Sequence, residues 1–71
     1  DIFNIGFVSE EAQTISVKVV NMIGEEVYFE SLPNFKGIYD NAIDLREKAK
    51  GLYFLKLITG NGQINKKIML Q

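Results

Sequence analysis

Ala49-Lys50-Gly51-Leu52-Tyr53-Phe54-Leu55-Lys56-Leu57, followed by Thr59-Gly60-Asn61-Gly62 and the run Ile64-Asn65-Lys66-Lys67-Ile68-Met69-Leu70, is the stretch on which the fold turns. Residues 52–59 carry Tyr53, Leu55 and Leu57 at every second position, the spacing that places them on one face of a strand. Asn61-Gly62 between two apolar runs is a strong short-range hairpin signal, so residues 64–70 are expected to return antiparallel beside 52–59. Tyr53 enters its strand just after a turn. A tyrosine so placed can bond back to the backbone of the corner, as in sandwich folds.

Working outward, residues 38–44 form the preceding strand, with Tyr39 and Ile43 in phase and Leu45 continuing it. Asp44 with Glu47 three positions on matches a loose capping box, and Gly51 suits the left-handed residue that ends a helical turn. One short turn of helix is therefore expected between these strands. Leu32-Pro33-Asn34-Phe35-Lys36-Gly37 is the longest irregular stretch, and Pro33 argues against a central strand there. Residues 26–30 are expected as a strand with Val27 and Phe29 facing in and Tyr28 out. Met22-Ile23-Gly24-Glu25 is a hairpin loop in which Gly24 supplies a positive φ. In 14–21 Ile15, Val17 and Val19 alternate with Ser16 and Lys18. Ser9-Glu10-Glu11-Ala12-Gln13 is a polar connection, and 2–8 is a first strand with Phe3, Ile5 and Phe7 in one phase.

Short strands separated by turn signals roughly every eight to twelve residues predict an all-β fold. The expectation is an Ig-like antiparallel β-sandwich of about six to seven strands, with the one helical turn, in a single domain over 1–71.

Composition narrows the function. Seventy-one residues sit near the lower limit for a self-sufficient core, and no cysteine is present to add a disulfide or a thiolate metal site. Histidine is absent, which removes the usual general base and the commonest metal ligand. Eight basic residues against nine acidic ones leave a net charge of −1. No basic stripe suits nucleic acid, and no apolar run approaches the roughly 20 residues that span a bilayer. The chain opens on Asp1 and goes straight into strand sequence, so it reads as a piece of a longer polypeptide.

Candidate catalytic groups are sparse. Glu10-Glu11 and Glu25-Glu26 are adjacent loop acids, unsuited to the facing carboxylates, about 5–9 Å apart, of a glycosidase. Asp40, Asn41 and Asp44 lie on a strand with alternating directions, which disfavours a calcium loop. Ser9, Ser16 and Ser31 have no histidine partner and no glycine-rich elbow. Gly60-Asn61-Gly62 opens no helix and so is no phosphate cradle. No enzyme activity, cofactor or metal is expected.

Lys66 interrupts the apolar row of Ile64, Ile68 and Leu70, whereas Lys67 faces out. Lys66 either snorkels at a strand edge or in a bulge, or forms with Lys67 a pair read by a partner. Leu52 and Phe54 are apolar opposite Tyr53, Leu55 and Leu57, as a second layer or a contact surface would require.

Taken together, these positions resemble the type A C-terminal sorting domain of the type IX secretion system of Bacteroidota. Val17-Lys18-Val19-Val20-Asn21-Met22-Ile23-Gly24-Glu25-Glu26-Val27 is similar to that family's strand–Asn–x–x–Gly–x–x–Val hairpin. Gly37-Ile38-Tyr39 and Ile43-Asp44-Leu45 resemble its middle strand. Ala49 to Phe54 resembles its most recognisable stretch, and Lys66-Lys67-Ile68-Met69-Leu70-Gln71 its terminal motif. The resemblance covers nearly the whole chain. One departure is that the family's Pro-Asn-Pro opening is missing, and its expected place is upstream of Asp1, which implies a trimmed N-terminal edge.

The resemblance implies a transport signal behind an N-terminal cargo domain of the same chain. It implies passage through the periplasm, recognition by an outer-membrane translocon, and cleavage by a sortase-like peptidase at the surface, leaving the cargo surface-bound or secreted. Lys66, Lys67 and Ile68 are the expected recognition residues. Gly24, Gly37, Tyr39, Asp44, Gly51, Tyr53, Asn61 and Gly62 are the expected structural positions. The alternative from another class is a passive fibronectin-like or adhesin-like surface module acting as spacer or binder. Open sheet edges also make self-association between copies a hazard.

Overall fold

A computed structural model of the chain describes residues 2–71. Four strands form: β1 (Ile2–Asn21), β2 (Glu26–Asp44), β3 (Gly51–Thr59) and β4 (Gly62–Leu70). They hydrogen-bond in the order β2-β1-β3-β4, and every neighbouring pair is antiparallel. The fold is all-β, but the expected Ig-like sandwich of six to seven strands is not what forms. The polar connection at 9–13 and the irregular stretch at 32–37 do not break their strands, so each expected pair of strands is one long strand.

Those two stretches instead bend the sheet. A straight 20-residue strand would run about 65 Å, whereas the whole molecule is 36 Å in its longest dimension. The β1–β2 register slips between Ser9 and Gln13 and again between Gln13 and Ile15, where the hairpin turns over. Ser9 is buried there. Its hydroxyl donates to the Glu11 carbonyl at 2.7 Å and accepts from the Gln13 amide at 3.0 Å, so the buried oxygen is satisfied. On β2, Asn34 takes a φ of +53° and Gly37 one of +111°. A side chain at Gly37 would be strained at that φ whatever the space around it. β2 lies at the edge of the sheet, which is why Pro33 is tolerated within it.

The bend lets distant parts of one hairpin share a core. Val17 and Val19 of β1 pack with Ile43 at the far end of β2, with Leu45 just beyond that strand, and with Tyr53 and Leu70. Val17 and Val19 are fully buried, and Ile43 and Leu45 are 1 % exposed. Phe3, Ile5 and Phe7 pack against this cluster, as their phase predicts, but remain half-exposed. At the bend Phe7 stacks on Tyr39 with centroids 4.7 Å apart, and Phe35 meets both rings edge-on.

Two further expectations are corrected. Val20 pairs with Glu26 and Val19 with Tyr28, so Val27 is the extra residue of a bulge. The bulge reverses the phase beyond it: Tyr28 packs inward with Val27, and Phe29 is 51 % exposed. No helix forms among the described residues. The Asp44–Gly51 segment is a tight turn, closed by a bond from Lys48 N–H to the Leu45 carbonyl at 3.0 Å. Asp44 does not cap Glu47. Its carboxylate accepts from the Arg46 N–H at 3.0 Å and from the Arg46 guanidinium at 2.7 and 2.9 Å. An Asp bonding two residues ahead competes with helix rather than starting it.

Candidate recognition surface

The terminal hairpin carries the residues expected to be read by a partner. β3 and β4 pair without a slip from Gly51 opposite Leu70 to Thr59 opposite Gly62. The reversing loop is thus Gly60-Asn61, with Asn61 N–H bonded to the Thr59 hydroxyl at 3.2 Å and Gly62 taking the positive φ. An unbroken register places Lys66 opposite Leu55 on the inner face and Lys67 opposite Phe54 on the outer face. No bulge lies at Lys66. Both lysines are exposed because β4 is an edge strand.

The two faces differ in chemistry. Lys66, from the inner face, and Lys67 both line an open cleft of about 420 Å³ between the first part of β1 and the last hairpin. Phe3, Ile5 and Phe7 line one wall, and Leu55, Leu57, Ile64 and Ile68 the other. Ile68 is half-buried and packs against the core, so it is anchored where Lys66 is free. On the outer face Lys67 stands on β4 beside Asn65, which pairs with Lys56, and Lys56 pairs with Lys18. Two lysines directly opposite repel one another. Glu26 at 3.6 Å and the Phe29 ring at 5.9 Å relieve Lys18. Among the described residues Lys56, Lys66 and Lys67 have no ion pair. Leu52 and Phe54 are half-buried on this outer side, with Met69 opposite Leu52.

The structural positions fall at the joints. Tyr53 is 5 % exposed and its hydroxyl donates to the Ala49 carbonyl at 2.6 Å, closing the corner as its position predicts. Tyr39 donates to Glu30 at 2.6 Å and accepts from Asn41 at 3.0 Å, while Tyr28 donates to the same Glu30 oxygen at 3.0 Å. Desolvation, and then the bond to Glu30, push the Tyr39 phenol up to about 12. Glu30 and Tyr39 lie on opposite sides of the β2 bend, so this bond ties its two halves together. Gly24, with a φ of +85°, closes the β1–β2 loop, and Gly51 opens β3 with a φ of +141°.

Two joints escaped the sequence. The Asn21 carbonyl oxygen of its side chain accepts from Ile23 N–H at 3.1 Å and Glu25 N–H at 2.9 Å. An Asn before a glycine-bearing loop is a signal that could have marked it. Gln13 accepts from Gly60 N–H at 3.2 Å across 47 residues, and no local pattern reveals that bond.

No group of three or more Asp or Glu side chains among the described residues could hold a metal ion. No helix is long and apolar enough to cross a membrane. A family model described as the secretion system C-terminal sorting domain matches residues 1–71. The chain belongs to that family. No curated protein and no solved structure gives a significant match. As a type IX sorting domain, the bent sheet presents one edge strand with a divided lysine pair, and its membership implies export to the outer membrane or cell surface.

Proposed function

We propose that this domain is the address that carries an attached N-terminal cargo through the type IX outer-membrane translocon, and that it performs no catalysis itself. The family match over the whole length carries this assignment. In this scheme the cargo crosses the periplasm, the domain is read at the outer membrane, and a sortase-like peptidase then removes it at the surface. Lys66 and Lys67 are the proposed contact residues, supported by their exposure on an edge strand and by the absence of an ion pair to either among the described residues. Accessible charges on an end strand suit strand addition or an acidic receptor patch. Ile68 is proposed to set their position, because it anchors β4 to the core.

A reporter with an ordinary export signal, fused ahead of residues 1–71, tests the assignment in a type IX-competent bacterium. Expected is reporter at the surface or in the medium, and periplasmic retention when the last ten residues are removed. Retention of both forms would favour a passive surface module instead. The Lys66→Ala, Lys67→Ala double variant should fold normally and export poorly. Unchanged export would remove these lysines from recognition.

A further inference from the structure

The first part of β1 is an open edge unlike the others. β3 pairs with β1 only over 16–21, so among the described residues 2–8 has β2 on one side and no strand on the other. Sheet proteins commonly guard such an edge with charge or proline. The outer edge of β2 carries Glu26, Glu30, Pro33 and Lys36, and that of β4 carries Lys66 and Lys67. Residues 2–8, Ile-Phe-Asn-Ile-Gly-Phe-Val, contain neither a charge nor a proline. Directly beside this unguarded edge lies the open apolar cleft, with Lys66 and Lys67 on its far wall.

Each property specifies part of an occupant. Unpaired N–H and C=O groups at strand spacing are matched only by another extended polypeptide. Apolar walls call for apolar side chains at every second position of that strand. Among the described residues Lys66 has no ion pair, and it sits on the inner phase, so an inward carboxylate is the complementary group. A second copy of residues 2–8 would satisfy the backbone and the walls but would bring no carboxylate, and would set two Lys66 side chains against one interface. We infer that the edge of β1 and the cleft beside it form an acceptor for an extended segment of a partner protein, with alternating apolar residues and one acidic residue directed at Lys66. This deepens the sorting assignment and rests on it for its setting. Within the lysine pair, Lys66 stands on the inner phase opposite Leu55, whereas Lys67 reaches the cleft from the outer phase opposite Phe54.

Binding to the purified 71-residue chain tests this without any export step, so its failure would leave the export assay intact. The probe is the acetylated, amidated peptide Thr-Val-Thr-Glu-Thr-Val-Thr, whose alternate positions are Val, Glu and Val. Its twin has Gln for Glu. Hydrogen exchange of the chain should show new protection at 2–8 with the Glu peptide. Binding should weaken about fivefold for the Gln peptide, and equally for Lys66→Ala with the Glu peptide. Lys67→Ala, on the outer phase, should weaken binding less than Lys66→Ala does. Equal binding of the two peptides, or protection confined to β4, would overturn the assignment. Protection at 2–8 that grows with protein concentration in the absence of peptide would also overturn it, by showing a second copy on the edge. Lys66 is exposed, so its loss leaves the core untouched.

Discussion

The two ends of β1 have the same pattern and different fates. Phe3, Ile5 and Phe7 alternate at one end, and Ile15, Val17 and Val19 at the other. The second row is buried to 1 % or less, whereas the first is only half-buried. Val17 and Val19 have a strand on either side, with Ile15 at the margin of that region, and among the described residues 2–8 have one. Alternation therefore tells which way a side chain points. The number of neighbouring strands decides how much of it leaves water.

A matched substitution gives the largest expected effect. Val17→Ala removes two methyl groups from a fully enclosed, doubly flanked site and should cost about 2–3 kcal/mol, whereas Ile5→Ala on the same strand, though it removes more, should cost about half of that or less. Urea unfolding of both variants makes the measurement. Equal losses would mean that the cleft beside Ile5 closes in solution. Next comes the joint between the halves. Gly37→Ala forces a side chain into a left-handed backbone and should cost about 1–2 kcal/mol. An unchanged midpoint would show that the bend can relax.

Tyr53→Phe should lose about 1 kcal/mol by deleting the bond to the Ala49 carbonyl. Its effect should be global, since Tyr53 belongs to the doubly flanked core. Amide exchange sharpens the same contrast without mutation: 2–8 should exchange faster than 16–21. Comparable protection in the two segments would erase the distinction.

The smallest effect concerns acid. Bonds to Arg46, first from its guanidinium and then from its backbone, hold the exposed Asp44 carboxyl down from 3.8 to about 2. A carboxyl lowered on folding stabilises fully above its unfolded value, here 3.8, and the gain is lost as pH falls through about 2. Between these values the parent chain should lose slightly more stability than Asp44→Asn. Parallel acid titrations of the two would show that the contact contributes nothing in solution.

The last hairpin was legible because its signals are local. Alternation at Tyr53, Leu55 and Leu57, a Gly-Asn-Gly turn and a tyrosine after a corner each need only a short window of sequence. The strand count was not legible. A polar run such as Ser9 to Gln13 looks like a loop, but a bent strand also needs polar groups where its ladder slips, and Ser9 and Gln13 supply them to one another. The inversion at Tyr28 and Phe29 came from a single extra residue, Val27, which is invisible until the partner strand is known. At the candidate surface, the positions of Lys66 and Lys67 on opposite faces followed from alternation. The empty side of β1 that gives Lys66 its setting depends on where β3 stops pairing, which no local pattern contains.

Leu70 has a consequence beyond packing. It is 4 % exposed, pairs with Gly51 and belongs to the central cluster, although β4 lies at the edge of the sheet. A chain cut before this residue keeps three of its strands intact, yet its core lacks one wall. Trimming 69–71 should abolish cooperative unfolding, and a cooperative transition in the trimmed chain would refute the idea.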